Sequence, residues 1–161
     1  MGWTGGSIVA TGLGMQALLF ECTVYGKPQP AGSKRGFVNP RTKGVIITDA
    51  NKNAKPWQQE VAGAAKSAMT LPSFPQTGPL SLLLEFYLHR PKGHFGSGKN
   101  AEKLKDSAPR SPAVKPDTSK LVRAVEDALT GIIWRDDAQI VYQVAAKHYG
   151  LPERCEIKVY G

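Results

Sequence analysis

Leu80-Ser81-Leu82-Leu83-Leu84-Glu85-Phe86-Tyr87-Leu88 is the stretch on which the fold turns. Leu80, Leu82, Leu84, Phe86 and Leu88 recur with the period of two that places alternate side chains on one face of a strand. Nine residues with five large apolar groups on one face read as a central strand of a sheet. Immediately before it, Pro56 suits the first turn of a helix. Trp57, Val61, Ala64, Ala65, Ala68 and Met69 follow at helical spacing up to the Leu71-Pro72 stop. After it the pattern breaks: residues 89–116 are rich in Gly, Pro and Ser and read as a mobile basic loop.

Past the loop the period becomes helical. Leu121, Ala124, Val125, Ala128 and Leu129 line one side, Lys120, Arg123, Glu126 and Asp127 the other, and Gly131 ends the helix. Two further alternating runs follow, around Ile140-Tyr142-Val144-Ala146 and Cys155-Ile157-Val159, and both predict strands. Towards the N-terminus, Leu18, Phe20, Cys22 and Val24 predict another strand across 17–25. Between it and the first helix, Phe37-Val38, the turn Asn39 to Gly44, and Val45 to Thr48 read as a basic hairpin. Residues 1–14 are Gly-rich without Lys or Arg, so they lack the basic start of a secretory signal. They read as a disordered N-terminal extension, with Met15 an alternative start and 15–161 the folded domain. Strands and helices mix without a regular βαβ alternation. The expected fold is therefore α+β: one domain with a mixed or mostly antiparallel sheet and two main helices.

A chain of 161 residues suits one domain with a real core. Its formal net charge of +8 and pI near 9.6 suit a partner that carries phosphates or another anionic surface. No run approaches the ~20 apolar residues of a membrane span, so a soluble protein without a membrane partner is expected. Cys22 and Cys155, the chain's two cysteines, fall at apolar positions of predicted strands and read as buried free thiols, which fits a reducing cytoplasm. His89, His94 and His148 have no paired metal-ligand spacing. Gly93-His94-Phe95-Gly96-Ser97-Gly98-Lys99-Asn100 nearly spells a phosphate loop, but Asn100 stands where a Ser or Thr is needed for the metal, so no nucleotide cofactor is expected. Trp57 and Trp134 read as core or interface aromatics.

Chemistry concentrates between Lys115 and Gln139. Asp117 precedes the second helix, Asp127 lies near its end, and Asp136-Asp137-Ala138-Gln139 follows. Clustered carboxylates in a basic protein suit phosphodiester hydrolysis, which needs charge neutralisation on the phosphate and an activated water. A divalent ion on hard oxygen ligands supplies both. The plainer readings are an N-cap for Asp117 and an i, i+4 surface pair for Asp127 with Arg123. Asp117, Leu121, Arg123, Asp127-Ala128-Leu129 and Asp136-Asp137-Ala138-Gln139 match, in order and spacing, the pattern of the RusA family of Holliday-junction resolvases, and the resemblance extends over Ala17 to Gly161.

The resemblance implies a metal-dependent endonuclease that hydrolyses four-way DNA junctions in recombination and repair. It implies Mg²⁺ or Mn²⁺ as cofactor, a homodimer with two active sites, products with 5′-phosphate and 3′-hydroxyl ends, and a bacterial or phage cytoplasmic setting. It gives Asp117, Asp136 and Asp137 as catalytic metal ligands, with Asp127 and Ser119 as further members of the metal site. Arg123 stands where the family has a catalytic lysine, keeping the charge but presenting a planar fork. Ser119 stands where the family has a second Asp, and a hydroxyl is a poorer ligand. The alternative is therefore a junction- or DNA-binding protein with weak or no cleavage, and a third reading is a basic RNA-binding protein whose aspartates are caps. Lys34, Arg35, Lys92, Lys99, Lys115 and Lys120 are the expected contacts to branched DNA. An extended Gly131–Asp137 segment, at ~3.3–3.6 Å per residue, is just long enough to bring Asp137 back beside Asp117. Failing that, the site is completed across a dimer interface.

Overall fold

The computed structural model describes residues 8–11, 14–49, 51–70 and 74–161. The chain runs β1 (Ile8–Thr11), β2 (Gly14–Tyr25), β3 (Lys34–Val38), β4 (Val45–Asp49), α1 (Ala54–Ala68), β5 (Leu80–Leu88), α2 (Thr118–Leu129), β6 (Ile140–Tyr149) and β7 (Arg154–Tyr160). Five strands form one sheet in the order β1-β2-β7-β5-β6, and β3 and β4 pair only with each other. β5 is antiparallel to β7 and parallel to β6, so the sheet is mixed and the domain is α+β. The parallel pair arises because β5, the long loop and α2 form one crossover unit that returns the chain as β6.

Alternation builds the core as expected. Leu80, Leu82, Leu84, Phe86 and Leu88 are buried, and β5 lies inside the sheet between β7 and β6. Phe20 and Val24 of β2 and Cys155, Ile157 and Val159 of β7 share that core with Trp57, Val61 and Ala65 of α1 and six residues of α2. The opposite face of the sheet is polar. There the Arg154 guanidinium lies 3.6 Å from the centre of the Tyr87 ring, Arg154 pairs with Glu156 at 2.7 Å, and His148 stands 3.6 Å from Glu85. β6 is the edge strand, and none of its side chains is fully buried. Its alternation in sequence therefore marks a strand without marking a buried face.

Two details differ from the sequence expectations. Ile8–Thr11, inside the stretch read as disordered, pairs antiparallel with Gly14–Ala17 as β1; the remainder of 1–13 lies outside the described residues. α1 begins at Ala54, which places Pro56 in its first turn as expected. The 89–116 loop contains no strand or α-helix, but it is tied to the body: Arg90 donates to the Pro109 carbonyl at 2.8 Å and stacks over the Tyr149 ring, and Phe95 bridges Leu104. Both cysteines are free; burial pushes the Cys22 thiol up to about 11 and raises Cys155 further, so both stay protonated near neutrality. Among the described residues no helix is long and apolar enough to cross a membrane.

Candidate active site

The candidate site residues lie at the two ends of α2. At its N-terminus Asp117 is the N-cap residue by position, but its side chain makes no capping hydrogen bond. The capping reading of this carboxylate therefore falls away: it faces solvent, half exposed, 3.4 Å from the Lys120 ammonium. The segment before it is held by Lys147 of β6, whose ammonium donates to the carbonyls of Val114 at 2.8 Å and Pro116 at 2.9 Å. A cleft of about 330 Å³ opens beside Asp117, lined by Lys27, Pro28, Gln29, Pro30, Asn51, Leu88, Lys115, Pro116 and Lys120. It lies at the carboxyl end of β5, where open sheets characteristically place ligands. Three lysines, Lys27, Lys115 and Lys120, surround the one carboxylate there, so the charge of the cleft is net positive.

At the other end, helix α2 stops at Gly131, whose φ of +80° is the left-handed conformation that ends helices. The chain then turns at once: the Trp134 carbonyl accepts from the Gly131 N–H. Asp137 accepts from the Thr130 hydroxyl and, at 2.8 Å, from the Trp134 indole N–H. Asp136 caps the one-turn 3-10 helix Asp137–Gln139 in a reciprocal box with Gln139. The Gln139 amide also donates to the carbonyls of Gln76 and Gly78, which fixes the Asp-Asp turn against the entry to β5. Asp127 lies alongside, accepting from Gln58 of α1 at 3.4 Å. Glu126 accepts from Gln143 of β6. Desolvation, followed by the negative charge of Asp137 and Asp127, raises the Glu126 pKa above the ordinary carboxylate range, with the Gln143 hydrogen bond opposing.

This geometry separates residues that the sequence reading joined. α2 has twelve residues, so at ~1.5 Å per residue its ends lie about 18 Å apart. The 131–137 segment does not return along α2; it closes on Thr130 and leads directly into β6. Asp137 and Asp127 act electrostatically on Glu126 at the C-terminal end, with Asp136 held in its cap one residue before Asp137, while Asp117 and Ser119 sit at the far end with Lys115 and Lys120. Among the described residues no three His, Cys, Asp or Glu side chains stand close enough to hold a metal ion. A Mg²⁺ ion, which requires oxygen ligands at ~2.0–2.1 Å, is therefore not matched by the carboxylates that the described residues of this chain bring together. Arg123 lies between the two ends on the exposed face of α2.

Of the expected DNA contacts, Lys115 and Lys120 line the cleft, whereas Lys92 and Lys99 sit on exposed 3-10 turns of the loop. The side chains of Lys34 and Arg35 lie outside the described part of the structure. Lys27, Gln29 and Asn51 complete the cleft but were not named as site residues from sequence; the turn-rich composition of 26–32 and the family resemblance at Gly26-Lys27-Pro28 pointed to the segment that carries the first two. Lys147 was missed because its partners lie 31 and 33 residues away, beyond the reach of any local pattern. The near-phosphate loop ends in the single 3-10 turn Gly98–Asn100 rather than opening into the α-helix such loops feed.

A family model described as Endodeoxyribonuclease RusA matches residues 26–160. The chain is also 35% identical over 137 residues to the uncharacterized protein YqaN of Bacillus subtilis (strain 168), covering 85% of this chain and 92% of that protein. The matched span contains the cleft, both ends of α2 and the Asp-Asp turn, and on that basis the chain belongs to the RusA endodeoxyribonuclease family.

Proposed function

We propose that this protein is a divalent-metal-dependent endonuclease of four-way DNA junctions, acting in the cytoplasm as a homodimer whose active sites are each completed by residues of a second copy. The observation that carries this reading is the division of α2. Its N-terminal end presents Asp117 among Lys115 and Lys120, its C-terminal end presents Glu126, Asp127, Asp136 and Asp137, and about 18 Å separates them. The basic end and the acidic end are mutually complementary. A second copy packed antiparallel about a twofold axis would bring the Asp117 end of each α2 against the Asp137 end of the other, creating two equivalent sites. Ser119, Arg123, Asp127 and Thr130 are exposed along α2 and would face the partner.

In such a site Asp117, Asp136 and Asp137, with Asp127 and Ser119 beside them, are the oxygen ligands for Mg²⁺ or Mn²⁺. Arg123 and Lys120 neutralise charge on the scissile phosphate, and Lys115 with the loop lysines Lys92 and Lys99 tracks the flanking backbone. Trp134 and Thr130 hold the Asp137 carboxylate by donating to it, so one of its lone-pair directions is fixed before any ion arrives. A junction presents two scissile phosphates related by symmetry, and a twofold dimer matches them with two sites.

The test is a labelled four-way junction beside a linear duplex of the same sequence, each incubated with Mg²⁺, Mn²⁺ or chelator. Paired symmetric nicks in the junction, with 5′-phosphate ends and no cutting under chelator, are expected. Equal cutting of the duplex, or cutting that ignores chelator, would overturn the assignment.

Ser119 favours a second reading, binding with weak cleavage, because a hydroxyl occupies the first turn of α2 two residues after Asp117 where a carboxylate would extend the ligand set. Ser119→Asp is expected to raise metal-dependent nicking at limiting Mg²⁺ by roughly 10-fold, the scale on which the residues around a metal alter its affinity. An unchanged rate across a Mg²⁺ titration would show that position 119 does not limit the enzyme.

A further inference from the structure

The hairpin β3–β4 is the part of the molecule that the active-site reading leaves unused. Its strands pair only with each other, in the register Phe37↔Ile46 and Val38↔Val45. Neighbouring residues of a strand point to opposite faces, so Phe37 and Ile46 share one face and Val38, Val45 and Ile47 the other. Both faces are open: Phe37 is 51% exposed, Val38 59%, Val45 68% and Ile47 65%. A two-stranded ribbon is marginal in water without a partner, and large apolar side chains left wet on both of its sides call for an occupant on both.

Position and charge indicate what that occupant is. The hairpin leaves the body at the rim of the Asp117 cleft: Ala31 donates to the Lys120 carbonyl at 2.8 Å, Asn51 donates to the Pro30 carbonyl at 2.9 Å, and Pro30 and Asn51 line the cleft. From Lys34 to Asp49 the hairpin carries four basic residues against one acidic one, Asp49 at its base, and two of the four, Arg41 and Lys43, lie in the exposed tip. A second protein subunit would cover one face of such a ribbon and would have no use for a tip whose charges are all basic. DNA offers apolar base faces framed by phosphates, and bases that part around a wedge cover both of its sides. Five residues per strand at ~3.3–3.4 Å reach about 17 Å, well beyond the ~8.5 Å depth of a major groove.

Resting on the junction-endonuclease reading, we propose that this hairpin is a wedge that enters the branch point of the bound junction. Phe37, Val38, Val45 and Ile47 lie against the unstacked bases there, while Arg41 and Lys43 hold the phosphates on either side. The wedge and the cleft then act on one DNA strand, with the branch point opened beside the position where Asp117 meets the backbone.

The experiment uses the full-length protein and a four-way junction carrying 2-aminopurine next to the branch point, under chelator so that no cutting intervenes. Wild-type protein should change the 2-aminopurine fluorescence severalfold on binding the junction. Val45→Thr/Ile47→Thr, which keeps β-branching, should lose most of that change and bind the junction roughly 10-fold more weakly, with linear duplex binding and the sedimentation coefficient unchanged. Arg41→Gln/Lys43→Gln, at exposed positions, should lower the slope of log affinity against log salt by about 2, and it serves if the first variant fails to fold by thermal melting. An unaltered fluorescence change together with an unaltered salt slope would overturn the wedge. So would loss of dimer mass in Val45→Thr/Ile47→Thr with fluorescence intact, which would make the hairpin a subunit contact. Wild-type protein that does not distinguish junction from duplex would instead remove the endonuclease reading itself.

Discussion

Asp117→Asn and Asp137→Asn proteins, each expected to lose junction nicking by on the order of 10²- to 10³-fold when assayed alone, are expected to regain about a quarter of the wild-type rate when mixed in equal amounts and allowed to exchange subunits. The fraction follows from symmetry. Random exchange makes about half of the dimers heterodimers. If each site takes Asp117 from one copy and Asp137 from the other, a heterodimer has one doubly altered site and one intact site. If each site lies within one chain, every site in every dimer carries one substitution and mixing restores nothing. Nicking of a single strand is the quantity to follow, because complete resolution needs two competent sites. Both variants should still bind the junction, since each retains the lysines around the cleft and sheds one negative charge. Rescue would place the metal ligands across the twofold axis, whereas complete absence of rescue with intact subunit exchange would require a rearrangement of α2 and the 131–137 turn within one chain.

How much of this could be read from the sequence depends on the range of the interaction responsible. β5 and the buried stripe of α2 are both legible, because Leu80 to Leu88 and Leu121 to Leu129 repeat with the periods that burial against a single layer imposes. The hairpin is legible from its turn residues, Asn39-Pro40 and Lys43-Gly44, with Lys43 at a φ of +58°. The parallel pairing of β5 with β6 is not, since nothing in either strand reports the direction of its neighbour. The site shows the same division. The aspartates stand out locally, but their spacing along the chain was compatible with Asp137 returning to Asp117, because contour length sets only a maximum reach. What decides against it is short-range: the Trp134 indole, the Thr130 hydroxyl and the Asp136–Gln139 box all tie the turn down at the C-terminal end of α2. β1 was hidden because Gly-rich composition argues for disorder, while Ile8 to Thr11 forms a strand by pairing with the start of β2.

Trp134 joins the core to the acidic end of the site, and two substitutions there should separate its roles. It is fully buried, and its indole N–H lies 2.8 Å from the Asp137 carboxylate and 3.2 Å from the Thr130 hydroxyl. Trp134→Ala removes the largest fully buried side chain and leaves a cavity at the junction of α2, the turn and the entry to β5. A cost of about 3–5 kcal/mol is expected, a large share of the ~5–15 kcal/mol that holds a domain together. For a chain of this size that corresponds to a melting point lower by roughly 6–20 °C, readable by calorimetry. Trp134→Phe keeps most of the apolar volume and removes only the donor, so it should cost about 1 kcal/mol in stability. Its effect on nicking should be larger, on the order of 10-fold, because Asp137 keeps only the Thr130 hydroxyl and is freer to turn away from the position a metal requires. Adding Thr130→Val to Trp134→Phe should deepen the catalytic loss by more than either single change implies, since the two donors share one carboxylate oxygen and each limits the freedom left by removal of the other. A Trp134→Phe protein that melts near wild type and nicks at the wild-type rate would reduce Trp134 to a core residue and leave the orientation of Asp137 to the capping box alone.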